Sequence, residues 1–247
     1  MSTIEHSIEI EMPAGTATGV LIHPDKDGPF PGAIHLTDAG GFRPSHVKMA
    51  TKLAEQGYAV LLPNLFYRTG GKPAFQRPPE VTREEMLRQL DVVVRAFTPE
   101  VIETDGKRYI DFLLAQSLVR KGAIGVVGHC FSGGFALRMA AARPDAVAAI
   151  ASFHGGELCT DSPDSPHHVL PQVKARLYFG HADKDVYMPA EAITQFEAAL
   201  KAWGGSYESE LYPGAYHSWT VLDSPIYNPE QAARAFKKLT ALFSAEL

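Results

Sequence analysis

The stretch Ile124-Gly125-Val126-Val127-Gly128-His129-Cys130-Phe131-Ser132-Gly133-Gly134, continued by Phe135-Ala136-Leu137-Arg138-Met139-Ala140, decides the fold. It starts as a short unbroken apolar run, the pattern of a strand buried on both faces, and continues as a helix. Between the two sits a reactive side chain, Cys130, flanked by small residues. A strand that turns sharply into a helix needs small neighbours, and such a turn holds the intervening side chain above the sheet as a nucleophile elbow. A thiol placed there lies near a helix N-terminus, where the partial positive charge favours the thiolate that attacks. The competing reading, a small core residue, is the usual fate of a free cysteine.

Working outward, similar apolar runs recur at Ala33-Ile34-His35-Leu36, Ala59-Val60-Leu61-Leu62, Val147 to Phe153 and Arg176-Leu177-Tyr178-Phe179. The segments between them are long enough to be the helical crossovers that parallel strands require. Residues 3–23 differ, with rough alternation through Ile4, Ile8 and Ile10 and Gly15 before Gly19-Val20-Leu21-Ile22, and read as an opening hairpin. Helices are expected from Ser45, as cap, to Gln56; from the capping-box pair Thr82 and Glu85 through Phe97; from Pro189 to Gly204-Gly205; and after Asn228-Pro229. Segments 66–80 and 155–172 lack any period and read as loops, at the mouth of a site. The 247 residues show no composition break and read as one domain.

Composition narrows the function classes. Apolar residues make up 45% and charged residues 21%, enough to bury a large core. A formal charge of -5, with no basic block, gives no electrostatic reason to expect nucleic acid. No run approaches the roughly 18 apolar residues of a membrane span, and the N-terminus lacks the pattern of a secretory signal, so a cytoplasmic protein is expected. Two cysteines, Cys130 and Cys159, are too few for a disulfide scaffold.

Two further segments carry candidate chemistry. Arg176 to Pro189 reads as a strand delivering an acid, Asp183 or Asp185, into the loop before a helix. Leu211-Tyr212-Pro213-Gly214-Ala215-Tyr216-His217-Ser218-Trp219 places a histidine in a loop between a strand and the last helix. The chain order is then nucleophile, acid, histidine. His167-His168 has no partner at metal-ligand spacing and reads as surface.

Together these residues resemble the dienelactone hydrolase family over nearly the whole chain. The resemblance implies an α/β-hydrolase fold: a mostly parallel central sheet with an N-terminal antiparallel hairpin and helices on both faces. It implies a Cys-Asp-His triad of Cys130, Asp185 and His217, Asp185 being favoured over Asp183 because it precedes Pro189 by the four positions usual in such loops. Ile34-His35-Leu36-Thr37-Asp38-Ala39-Gly40-Gly41 falls where the family carries a glutamate that interacts with the cysteine, so Asp38, one methylene shorter, is the candidate thiol-gating residue. Counting from Gly57 sets Arg83 on an arginine that holds the substrate carboxylate. Phe153-His154-Gly155 matches an aromatic pair that lines the pocket, and His154 and Trp219 are expected to shape it. Two departures stand out: Ser132 replaces an elbow glycine, and Val221 replaces a second carboxylate-binding arginine.

The implied activity is hydrolysis of a small ester or lactone through a thioester acyl-enzyme, with N–H groups of Phe131 and Ala39 as the oxyanion hole. No metal or organic cofactor is called for, and a monomer or homodimer is expected. The alternatives are a thiol redox sensor, in which Cys130 pairs with Cys159, and a non-hydrolytic binding protein.

Overall fold

Alternating polar and apolar residues at the N-terminus produce a hairpin of β1 (Thr3–Met12) and β2 (Gly15–Pro24), in register from Thr3 opposite Pro24 to Met12 opposite Gly15. The computed structural model describes residues 1–71 and 83–247, excepting the side chains of Arg83, Glu84, Met86, Leu87 and Leu90. Six more strands follow: β3 (Gly32–His35), β4 (Ala59–Pro63), β5 (Ile124–His129), β6 (Val147–Phe153), β7 (Arg176–Lys184) and β8 (Tyr207–Tyr216). All eight form one sheet in the order β1-β2-β4-β3-β5-β6-β7-β8, antiparallel across the hairpin and between β2 and β4, parallel elsewhere.

The helices are α1 (Pro44–Ala54), α2 (Arg83–Arg95), α3 (Pro99–Leu114), α4 (Ser132–Ala142), α5 (Ala190–Trp203) and α6 (Pro229–Glu246). Because successive strand side chains point to opposite faces, the unbroken apolar runs feed two cores. Val126, Ile150 and Leu177 pack on one side with Leu113 of α3, Leu137 of α4 and Phe196 of α5. Val127, Ala149 and Tyr178 pack on the other with Leu53 of α1 and Phe243 of α6. Gly125 permits the second contact, since a Cβ there would stand 2.6 Å from the Phe243 ring. Burying a side chain of that size contributes about 2–3 kcal/mol. The expected two-faced, mostly parallel sheet with its opening hairpin is therefore present.

Local expectations needed three corrections. Ser45 lies inside α1; Arg43 stands before Pro44 at the cap and sends its side chain to two carboxylates instead of the helix end. The segments read as loops contain short 3-10 helices, Leu65–Thr69 and Pro166–Gln172. Helix α3 has no clear signal in the sequence, because the polar run Glu103-Thr104-Asp105-Gly106 interrupts its apolar pattern. It is capped by Thr98, whose hydroxyl accepts from Val101 N. The capping-box residue Thr82 lies outside the described residues. Asn228 caps α6 as read, accepting from Gln231 N at 3.1 Å. Among the described residues no helix is long and apolar enough to cross a membrane.

Candidate active site at the carboxyl ends of the strands

Only Cys130 and Phe131 separate β5 from α4, so the turn between them is tight. Cys130 takes a left-handed backbone, φ 59°, which costs a non-glycine residue about 1 kcal/mol or more. Surrounding bonds hold it there. Its N–H is shared between Phe153 O at 3.1 Å and His154 Nδ1 at 3.0 Å, and its carbonyl accepts from Gly133 N at 3.0 Å. Gly128 is required by the same closeness: a Cβ would meet Ser132 O at 2.2 Å. Ser132, the departure from the family's glycine, closes the turn from inside, its hydroxyl accepting from His129 N and donating to His129 O, both at 2.9 Å.

Asp185 and His217 reach the same level through sheet register. Lys184 is paired with Tyr216 across β7 and β8, so the next residues of both strands emerge side by side. His217 donates from Nδ1 to Asp185 Oδ2 at 2.8 Å, and its Nε2 lies 3.0 Å from Cys130 Sγ. Asp185 is fixed in turn by the Tyr187 N–H, given to Oδ1 at 2.9 Å, and its side chain is fully buried. Asp183, the competing acid, is exposed and accepts instead from Gly214 N at 3.0 Å. Burial opposes charge on His217, but the interaction with Cys130 and the bonds to Asp185 and Cys130 outweigh it and push the imidazole up to about 10.

A cavity of about 330 Å³ opens on Cys130 and His217, with Asp91, Val94, Phe131, Gly156, Glu157 and Tyr187 in its wall. His154 and Trp219 were expected to shape this pocket. Neither is among those lining residues; both are fully buried and packed edge-to-face 5.1 Å apart. The reason is the bond from the Cys130 N–H, which draws His154 beneath the elbow. Arg83 is the first residue of α2, which supplies Asp91 and Val94 to the wall; its side chain lies outside the described residues. Val221, where the family has its second arginine, is fully buried.

Asp38 accepts from Arg43 Nη1 at 2.5 Å and Nη2 at 2.9 Å and from Gly40 N at 2.9 Å, with His46 Nε2 3.2 Å away. Burial disfavours its charge, yet the bonds from His46 and Arg43 hold the carboxyl well below the usual range. The partner of the thiol is His217. Phe131 N and Ala39 N have no intrachain acceptor among the described residues. Cys159 is a free, half-buried thiol packed against the core, and burial pushes it up.

Sequence reasoning missed Arg43, Thr220 and Asp223. Thr220 Oγ1 stands 2.7 Å from His154 Nε2 and 3.1 Å from His129 Nδ1, joining the His217 loop to the elbow. Nothing local marks it, because its partners lie 66 and 91 residues away.

The fold recurs in solved structures. The dienelactone hydrolase from Anabaena variabilis superposes with a TM-score of 0.72 over all of both chains at 20% identity. The dienelactone hydrolase-like promiscuous phosphotriesterase P91 from metagenomic libraries superposes at 0.83 over 100% of this chain and 99% of its own, at 19% identity. At the level of sequence, the carboxymethylenebutenolidase of Rhodococcus opacus is 29% identical over 229 residues, which cover 92% of this chain and 85% of that protein. The sequence profile of the dienelactone hydrolase family matches residues 17–247, a span that takes in the elbow, the acid loop and the histidine loop, and the chain belongs to that family.

Proposed function

We propose that the protein hydrolyses a small ester or lactone with Cys130 as nucleophile. The observation that carries this reading is the unbroken series from Sγ to Nε2 and from Nδ1 to a buried carboxylate, opening on a cavity. His217 takes the thiol proton, and Asp185 fixes the ring tautomer and stabilises the imidazolium. The thiolate attacks the ester carbonyl carbon, and the carbonyl electron pair moves to oxygen. Phe131 N–H and Ala39 N–H donate to that oxyanion, a contribution of about 3 kcal/mol for each donor. Collapse expels the alkoxide, which takes the proton from His217 and leaves a thioester. His217 then removes a proton from water, whose attack on the thioester releases the acid and returns the thiol.

Family membership supports the ester and lactone class, and the Rhodococcus opacus relative, a carboxymethylenebutenolidase, points to the lactone side of it. With Val221 in place of the second arginine, the substrate is held by at most one arginine of that pair, Arg83. In this reading the enzyme works in the cytoplasm, where both cysteines stay reduced.

The test is Cys130→Ala and His217→Ala on a panel of activated esters, lactones and thioesters. Turnover should fall by about three orders of magnitude or more in each. Wild-type-like turnover in either variant removes the mechanism.

A further inference from the structure

The backbone N–H of Ala39 belongs to a turn that the rest of the molecule grips firmly. β3 lies parallel to β5, with His35 opposite Val127 and Leu36 N bonded to Val127 O, so the turn at Asp38–Gly41 leaves the sheet beside the elbow. Within the turn, Asp38 O accepts from Gly41 N and Asp38 Oδ1 from Gly40 N, both at 2.9 Å, while Ala39 N has no acceptor among the described residues. What fixes Asp38 itself is Arg43. A guanidinium has five N–H donors in a rigid plane, and here all five are used. Nη1 gives to Asp38 Oδ1 and Gly41 O, Nη2 to Asp38 Oδ2 and Asp223 Oδ1, and Nε to Asp223 Oδ2. Asp223 lies six residues beyond His217 on the loop that carries the base.

We infer that Arg43 is a positioning residue, clamping the Asp38–Gly41 turn to the His217 loop so that the Ala39 N–H is held for the oxyanion. The inference rests on the nucleophilic role proposed for Cys130. The fit requires a planar fork with two carboxylates on different edges, which an ammonium cannot reproduce. Room for the fork is made by Gly40, where a Cβ would stand 2.5 Å from Nη1. Arg43 makes no bond to His217, Asp185 or Cys130, so its loss should leave the proton chemistry alone.

Steady-state kinetics on Arg43→Ala, Arg43→Lys and Asp223→Asn, beside Cys130→Ala, test it. An oxyanion donor acts in the transition state and not on bound substrate, so kcat should fall about 100-fold in Arg43→Ala with KM within about threefold. The alkaline limb of the pH profile should not move. Arg43→Lys should stay within about threefold of Arg43→Ala, free guanidinium should restore part of kcat to Arg43→Ala, and Asp223→Asn, which keeps Asp38 bound, should lose about tenfold or less. A kcat within twofold of wild type in Arg43→Ala, with only the melting temperature lowered, would reduce Arg43 to a stabilising ion pair and overturn the inference. A rise in KM at constant kcat, or full recovery with lysine, would overturn it too. If Cys130→Ala is inactive in these cases, the proposed function stands and only the clamp falls; turnover surviving Cys130→Ala removes both.

Discussion

His217 stands on one side of the elbow and three buried histidines on the other, and they differ in charge for a simple reason. His217, in front, has a buried carboxylate on one nitrogen and a sulfur on the other, and is pushed up to about 10. His35, His129 and His154, behind, have no carboxylate bonded to them and are pushed down, first by burial and then by neighbouring histidines, among them His46 and His217. Their contacts are neutral ones. His35 Nε2 meets His46 Nδ1 at 2.9 Å, and Thr220 Oγ1 sits between the other two. Because His154 Nδ1 accepts the Cys130 N–H, its Nε2 must carry the proton and donate to Thr220. The same side chain thus serves as a charged acid-base group where an anion faces it and as a neutral spacer where none does.

Removing the anion should break this contrast most severely. In Asp185→Asn the ring of His217 loses its reason to hold the proton on Nδ1 and to stay charged. The expected loss is about 10,000-fold in kcat, the scale seen when an orienting aspartate is made an amide elsewhere, with the fold retained by circular dichroism. A loss under tenfold would mean that Asp185 only packs.

Acid should sharpen the contrast next. The histidines behind the elbow have folded values below the unfolded 6.5, His129 at about 3, so their neutral burial supports the fold above pH 6.5 and that support is lost as pH falls below it. His217 runs the other way: its support is complete below about 6.5 and is lost as pH rises through about 10. Denaturant unfolding from pH 6.5 down to 5.5, where the support from His217 is already complete, should therefore show falling stability, on the order of 1 kcal/mol per pH unit for each titrating buried histidine. Rising stability on acidification would contradict the neutral assignment.

The smallest effect is expected at Asp183. Its single bond, from Gly214 N, is exposed and an amide oxygen can accept it, so Asp183→Asn should keep turnover within about twofold and stability within about 0.5 kcal/mol. A large loss of turnover would reverse the roles of the two aspartates.

Much of the fold was legible because its cause is local. Short apolar runs bounded by glycine and proline announce buried strands whatever else the chain does, and Gly128-His129-Cys130 announces a tight strand-to-helix turn. Helix α3 was not legible, since Asp105 and Gly106 break its apolar face. They do so because Asp105 answers the Tyr67 hydroxyl and Arg68, and because Gly106 makes room for Met139. Those reasons lie far along the chain. At the site, Cys130, Asp185 and His217 could be named from spacing and family resemblance, whereas the pocket roles expected of His154 and Trp219 could not be tested without knowing which way the elbow faces.

By itself the sequence determined the layer architecture, the place of the thiol at the end of β5 and the two loops that meet it, since periodicity and glycine spacing act within a few residues. Tertiary structure closed the choice between Asp185 and Asp183, and it alone decided which histidines are neutral and that Arg43 joins Asp38 to Asp223. Those depend on strand register and on bonds across as many as 180 residues, which no local pattern encodes.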